Sequence, residues 1–236
     1  MSPFRKTAPL AAVLIAVGLS GCISILPKNK PSQLYRFGVE RAAEPASAPA
    51  AVTGPMSGVV MQAVTFPRAA GGDQILTTTG GQAAYISESR WISPAQVLFQ
   101  EAVQNSFDAR AHRTRLLNRG EIGAASAFLR LEVRSFEARY DRGPGTAPLV
   151  TIAVLARMSA LDGQVVGEQT FHADLRADDN RVGPITAAFD AGVDKVLGDL
   201  TNWADLTAPP PRRTAAAVTT TTSSTSTSTT QVTPRP

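Results

Sequence analysis

The sequence predicts an α/β fold, in which a mixed-sheet sandwich of about five principal strands packs with two main helices. Two segments repeat apolar residues every three or four positions, over 94–110 and 184–203, and this period is typical of amphipathic helices. Between them lie three long segments rich in apolar and β-branched residues, separated by turn sequences. We therefore expect one layered α/β domain, with a disordered linker and a disordered C-terminal tail outside it.

Composition agrees with a folded domain and excludes one class of function. The chain has 236 residues, of which 43% are hydrophobic, so a wholly disordered chain is excluded. The net charge of +4 comes from 23 basic and 19 acidic residues, and the basic excess lies at the two ends, at Arg5, Lys6, Arg212, Arg213 and Arg235. A nucleic-acid-binding protein needs clustered Lys and Arg on its folded part. We therefore expect no nucleic-acid partner.

The N-terminal residues have the organisation of an export signal. The basic pair Arg5-Lys6 precedes a mostly apolar run over residues 8–19, which is too short for a spanning helix of ~20 residues. Residues 19–22 (LSGC) follow directly and resemble the bacterial lipobox, in which the cysteine receives a diacylglyceryl group before cleavage. We expect residues 1–21 to be a lipoprotein signal peptide that is removed.

Cys22 is the only cysteine, so an intrachain disulfide is excluded. We expect Cys22 to become the first mature residue, acylated on sulfur and nitrogen with chains such as palmitate, and residues 22–32 to form the lipidated tether. One acyl chain holds a protein to a membrane only marginally, whereas several hold it durably. An ordinary signal peptide with a chance cysteine is the alternative. Ile23 rather than Asp follows the cysteine, which by resemblance to sorted enterobacterial lipoproteins favours the outer membrane.

The first part of the mature chain predicts two strands and a hairpin. Residues 33–38 (QLYRFG) suit a short strand, whereas residues 42–56 consist mainly of Ala, Pro, Ser, Gly and Thr and predict a flexible insertion. Residues 58–65 (GVVMQAVT) are nearly continuously apolar and predict a strand covered on both faces. Residues 75–86 predict a hairpin whose loop consists of two glycines.

The first helix is predicted over residues 94–110. The hydroxyl of Ser93 is expected to cap its N terminus, with Pro94 at the first helical position and Gln96 completing a capping box. An apolar stripe of the helix consists of Phe99, Val103 and Phe107.

The second part predicts an antiparallel set of strands followed by the second helix. Residues 128–140 predict a long strand whose alternation changes phase beyond Ser135, as a β-bulge produces. Residues 149–161 and 164–175 predict two more strands, joined by an Asp-Gly turn. Residues 184–203 predict the second helix. The outer face of that helix is expected to carry Asp190, Asp194, Lys195 and Asp199.

The predicted domain spans residues 33–207. From residue 208 to 236 the chain contains a triple proline, alanines and an unbroken Ser/Thr run over 219–230. This composition predicts a disordered tail.

No catalytic residue, cofactor or metal site is predicted. His112 and His172 are the only histidines, and no Gly-x-Ser-x-Gly elbow accompanies them. We expect His112 on a solvated surface and His172 as a half-exposed strand residue. Four residues before the second helix lack the spacing and the terminal Glu of a calcium loop, and their charge is expected to complement the helix N terminus. These residues are Asp174, Asp178, Asp179 and Asn180.

Arg90 and Trp91 precede the first helix and have two interpretations. They suit a ligand platform, but packing of Trp91 against Phe99 or Val103 in the core is the favoured interpretation.

Several short motifs over residues 22–206 together resemble those of one protein family. They are the lipobox Cys22, the strand at Tyr35-Arg36-Phe37, the strand over 58–65 ending near Pro67, Tyr85, Arg90-Trp91, the helix from Pro94, and a final helix ending near Trp203. Together they resemble the ABC-type transport auxiliary lipoprotein family. The insertion at 42–56 and the Thr-rich tail depart from the family pattern. The family offers no catalytic residues, and Cys22 alone carries over as a functional position.

The resemblance implies a non-enzymatic role and an α/β sandwich with a mixed sheet. Members are linked to ABC transporters and MCE-domain proteins that move lipids between the inner and outer membranes. We hypothesise a membrane-anchored periplasmic docking component whose partners are an MCE-domain protein and an ABC permease/ATPase complex; contact of the domain itself with lipid stays open. The alternative is an envelope-structural or cell-wall-regulating lipoprotein, which the Pro/Thr-rich tail supports. A periplasmic hydrolase is a third interpretation.

Overall fold

The computed structural model describes residues 31–38, 54–117, 121 and 124–211. The predicted signal peptide, Cys22, and most of the predicted insertion at 42–56 and tail at 208–236 lie outside these residues. The strands are β1 (Gln33–Tyr35), β2 (Ser57–Met61), β3 (Gln74–Thr79), β4 (Gln82–Trp91), β5 (Thr114–Leu116), β6 (Ala125–Arg139), β7 (Leu149–Ala160) and β8 (Val165–Arg176). Helix α1 (Ala95–Arg110) lies between β4 and β5 in the chain, and α2 (Val182–Thr207) follows β8.

Strand β6 lies at the centre of one mixed sheet. On one side β7 and then β8 pair antiparallel. The other side is shared: β2 runs parallel to the first part of β6, with Met61 opposite Leu129, and β3 runs parallel to its end, with Thr77 opposite Ala138. Strand β5 pairs with β2, while β4 and then β1 extend the sheet beyond β3. The predicted mixed sheet is confirmed, with eight strands in place of about five principal ones.

The predicted bulge in β6 is confirmed. The register of β6 against β7 shifts between Val133 and Ser135. Before the shift Leu129, Leu131 and Val133 are buried, and after it Phe136 and Ala138 are buried. The extra residue thus keeps both apolar stretches on the side of the sheet that faces the helices.

Both helices belong to one layer against the sheet. Helix α2 packs on β7 and β8 and also contacts α1, and the hydroxyls of Ser106 and Thr201 lie 3.2 Å apart between the helices. The predicted stripe of α2 is buried, while Arg130 and Glu132 are exposed on the opposite side of β6. The domain is therefore a two-layer α/β sandwich. Neither of the described helices is long and apolar enough to cross a membrane. The buried stripe of α2 includes Ile185, Phe189, Val193, Val196 and Leu200.

The predicted cap of α1 is wrong in detail. The helix begins at Ala95, and Pro94 is its N-cap residue, with no side-chain cap. The N–H groups of Ala95 and Gln96 instead donate to the carbonyl oxygens of Gly72 and Gly71, at 2.8 and 3.3 Å. The side chain of Gln96 donates to the Val64 carbonyl oxygen at 2.7 Å. A loop distant in sequence thus satisfies groups that a local capping box was expected to satisfy.

Candidate functional surfaces

The attachment segment is defined here as residues 33–38, which follow the predicted lipidated tether. Its strand β1 has three residues, pairs parallel with β4 at the edge of the sheet, and places Leu34 opposite Arg90. Just beyond β4, the N–H of Ile92 donates to the Tyr35 carbonyl oxygen at 2.8 Å. Because so short a strand offers few backbone hydrogen bonds, side chains must supply most of the contacts that fix the segment to the domain.

Phe37 provides that hold by entering the core, where it is 1% exposed. Its ring packs edge-on against Trp91 at 4.9 Å between centroids and against Phe136 at 5.1 Å. Both of these rings also contact Phe189 of α2. The attachment segment, β4, β6 and α2 therefore share one aromatic cluster. The predicted core position of Trp91 is confirmed, whereas its ring partners are Phe37, Phe136 and Phe189 and not the predicted Phe99.

Gly38 fixes the end of the attachment segment against both helices. Its φ is +68°, and a Cβ there would lie 2.4 Å from the Cβ of Ala102 in α1. Its N–H donates to the Asp190 carboxylate in α2 at 2.8 Å. Asp190 was expected on the outer face of this helix, but it is half-buried and bound to the segment. Contacts between residues so far apart in sequence give no local signal, so the sequence pattern missed them.

Asp205 is a second residue whose role the pattern missed. Its carboxylate accepts hydrogen bonds from the N–H groups of His112, Arg113 and Thr114 at 2.7, 3.0 and 2.9 Å. It also accepts one from the hydroxyl of Thr114 at 2.7 Å. The last turns of α2 are thereby fixed to the start of β5. That strand has three residues and no periodicity of its own, which is why the pattern did not predict it.

The two histidines lie on exposed positions of different elements, His112 after α1 and His172 on β8. Across the described residues there is no group of three or more His, Cys, Asp or Glu side chains that could hold a metal ion. Cys22, the predicted lipidation site, lies outside the described residues.

The acidic residues before α2 form local contacts. Asp179 accepts hydrogen bonds from the Arg181 side chain at 2.5 Å and from the Asn180 N–H at 2.6 Å. The hydrogen bond from Arg181 is the main cause of the lowered pKa of Asp179. The first turn of α2 has no acidic residue, and Arg181 is its N-cap. Asp178 and Asp179 lie just before this residue, and their expected charge complementarity with the helix N terminus stays a prediction.

One ion pair ties the turn after β6 to the end of β8. The Arg176 guanidinium donates to both carboxylate oxygens of Asp141, at 2.9 and 2.7 Å. This hydrogen bonding is the largest cause that lowers the pKa of Asp141 and raises that of Arg176. Close by, the Tyr140 hydroxyl donates to Asn180 at 2.8 Å, and burial raises the pKa of Tyr140.

The side of the sheet opposite the helices is a charged surface, which we call the outer sheet face. Arg130 of β6 lies opposite Arg157 of β7, and Arg157 pairs with Glu168 of β8 at 2.6 Å. All three residues are exposed, as is His172 further along β8. A surface that exposes charges of both signs suits polar contacts with another protein.

A shallow recess interrupts this face where β2 and β3 share one side of β6. It has a volume of about 600 Å³ and is lined by Phe66 and Pro67 on one side and by Glu132 and Arg134 on the other. Its two charged side chains, Glu132 and Arg134, form an ion pair at 3.6 Å. The recess thus offers contact area with paired charges.

Among the described residues, five of the seven large apolar side chains that are exposed lie near the two far edges of the sheet, and the other two are Tyr85 and Val97. Leu34 and Ile92, at the β1 edge, are 61% and 55% exposed. Val165 and Val166 begin β8, which among the described strands pairs with β7 alone, and they are 51% and 38% exposed. Leu206, in the last turn of α2, is 82% exposed. These are two separate surfaces, and the attachment segment lies at the first.

Comparison with known proteins gives a family and a fold. A family model described as "ABC-type transport auxiliary lipoprotein component" matches residues 39–200. A solved structure from Xanthomonas campestris, described by the family model DUF330, is 20% identical with a TM-score of 0.60, and the match covers 74% of this chain and 96% of that one. A second, of an uncharacterised protein, is 14% identical with a TM-score of 0.57, covering 74% and 99%. No curated protein matches the chain.

Proposed function

Since the chain belongs to the family of ABC-type transport auxiliary lipoprotein components, we propose that it is a lipid-anchored, non-enzymatic docking component of an ABC/MCE-type lipid transport system in the periplasm. The observation that carries the proposal is the family match over most of the folded domain. The geometry supports it, because the segment that follows the predicted tether is built into the core through Phe37 and Gly38. A domain held in this way presents surfaces to a partner while it stays attached to a membrane.

The proposed anchor is Cys22 with its acyl chains. Its support is the lipobox at residues 19–22. We expect the protein to sediment with membranes and to resist extraction by alkaline carbonate. The Cys22→Ser variant should remain unprocessed, at the mass of the precursor. Processing of that variant at the same position would contradict the proposed lipoprotein maturation.

The proposed location is the outer membrane, and its support is Ile23 after the cysteine. Density-gradient separation of the two membranes should place the wild-type chain in the outer-membrane fraction. Ile23→Asp should move it to the inner-membrane fraction, whereas Ile23→Ser should not. Wild-type protein in the inner-membrane fraction would contradict the location and leave the anchor itself unaffected.

The proposed partners are an MCE-domain protein and the ABC permease/ATPase complex. The outer sheet face suits such contacts, because its exposed charges lie on a rigid sheet away from the helices. A photo-crosslinking residue placed at Glu168 or His172 in the native envelope should capture an MCE or transporter subunit. The same residue at Asn202, an exposed position on α2, serves as the control. Capture of cell-wall enzymes alone would favour the envelope-structural alternative.

A further inference from the structure

We propose that the β1 edge of the domain, marked by Leu34 and Ile92, rests on the membrane surface to which the protein is anchored. This inference rests on the proposed lipid anchor and goes beyond it, because it assigns the face that the domain turns to the bilayer. The occupant of this surface is thus the headgroup region of a lipid layer.

The first support is the short reach of the chain between the anchor and the domain. Cys22 and Gln33 are eleven residues apart, and a chain of this length spans at most about 40 Å when fully extended. Because β1 begins at Gln33, the chain enters the domain at the β1 edge, and a tether shorter than its full reach brings that edge closer to the bilayer than the β8 edge. Strand β8 lies five strand spacings away, at about 24 Å.

The second support is the exposure of apolar side chains at this edge. Leu34 is opposite Arg90 in the β1–β4 pair, and the N–H of Ile92 binds the carbonyl oxygen of the next β1 residue, so the two apolar side chains belong to neighbouring positions. Both are more than half exposed. Transfer of such apolar side chains from water to the boundary between headgroups and acyl chains is favourable.

The third support is the charge around the tether and this edge. Residues 23–38 contain Lys28, Lys30 and Arg36 and no Asp or Glu. Arg36 pairs with Glu101 at 3.1 Å, and Arg90, which lies opposite Leu34, pairs with Asp73 at 2.8 Å, so the charges of these two carboxylates are balanced. The two tether lysines add attraction toward anionic lipids. Because the anchor keeps the edge close to the bilayer, even weak contacts of this kind suffice to orient the domain.

The test measures the depth of single labels on the mature, acylated protein in vesicles of phosphatidylethanolamine and phosphatidylglycerol. Acylation of the only natural cysteine leaves an introduced cysteine as the single free thiol, so Leu34→Cys and Ile92→Cys can each carry one fluorophore. Val166→Cys and Leu206→Cys provide matched, exposed apolar controls at the other surface. A lipid-borne doxyl quencher should remove most of the fluorescence at positions 34 and 92 and little at 166 and 206. Equal or greater quenching at 166 and 206 would overturn the proposal.

A second measurement uses a label at Gln33→Cys. Combined Leu34→Asp and Ile92→Asp substitutions should reduce the quenching of this label, whereas Val165→Asp with Val166→Asp should not. Unchanged quenching in the first variant would also overturn the assignment of this surface. The intact mass of each sample is recorded first: if Cys22 carries acyl chains, a negative quenching result counts against the membrane-facing edge alone, and if it carries none, the proposed anchor itself fails.

Discussion

Gly38 joins the attachment segment to both helices through its backbone alone. A Cβ at this position meets two penalties, a left-handed φ of +68° and a 2.4 Å approach to the Cβ of Ala102. Gly80 has a similar φ of +53° but open space around it. A comparison of alanine substitutions at Gly38 and Gly80 therefore separates the backbone penalty from the steric penalty.

We predict that Gly38→Ala lowers the free energy of unfolding by more than Gly80→Ala does. The backbone penalty alone is about 1–2 kcal/mol, and only Gly38→Ala adds the clash with α1. Urea denaturation followed by circular dichroism measures both variants. Equal losses of unfolding free energy in the two variants would show that the structure relieves the close contact with Ala102 at no energetic cost.

Asp205 accepts four hydrogen bonds at the end of α2. We predict that Asp205→Ala costs about 2–3 kcal/mol, because it removes a charged acceptor and leaves the Thr114 donors without it. Asp199→Ala is the control, since Asp199 only pairs with Lys195 at the surface, and it should cost less than about 0.5 kcal/mol.

Hydrogen exchange locates the effect of these two substitutions. The Thr114 amide should lose protection in Asp205→Ala and keep it in Asp199→Ala. Unchanged protection of Thr114 in Asp205→Ala would mean that this carboxylate does not hold β5 in place.

At the scale of elements, the attachment segment depends on one inserted ring. We predict that Phe37→Ala destabilises the domain by about 3–5 kcal/mol, because it removes a buried aromatic side chain from a cluster that joins β4, β6 and α2. Leu34→Ala, on the same segment but 61% exposed, should change stability by less than about 0.5 kcal/mol. Thermal unfolding of both variants decides the matter, and similar shifts in Tm would contradict an anchoring role for Phe37.

The ion pair between Asp141 and Arg176 makes the β6 turn and β8 sensitive to acid. Because the folded-state pKa of Asp141 is lowered from 3.8, the pair stabilises the fold above that ordinary pKa, and this stabilisation is lost as the pH falls through the lowered value. The stability difference between the wild type and Asp141→Asn should therefore be largest near neutral pH and shrink below about pH 4. A difference that does not depend on pH would show that the pair contributes through packing and not through charge.

Elements with a strong local pattern were predictable, and those made by distant contacts were not. The Gly80-Gly81 loop, the bulge near Ser135 and the stripe of α2 each have their cause within a few residues. The start of α1 depends on carbonyl groups of a loop more than twenty residues earlier, and β5 depends on Asp205. The same limit applies to the candidate surfaces. The sequence indicated Cys22, whereas the contacts of Phe37 and Gly38 with the sheet and the helices could be identified only in the folded structure.

For the whole molecule, the sheet has the attachment segment at one far edge and β8 at the other. Strand β6 connects the two halves, because β2 and β3 share one of its sides and β7 pairs along the other. Phe37 connects the attachment segment to the aromatic cluster, which includes Phe136 of the central strand. The attachment segment and the central strand are thereby joined within one domain.

We propose that the folded domain is attached to the membrane through an acylated Cys22, and intact-mass spectrometry of the protein recovered from native membranes tests this attachment. We expect a mature chain that begins at Cys22 and carries the added mass of a diacylglyceryl group and an N-linked fatty acid. A chain that still begins at Met1, or one cleaved before Cys22 without fatty acids, would show that the protein is not anchored in this way.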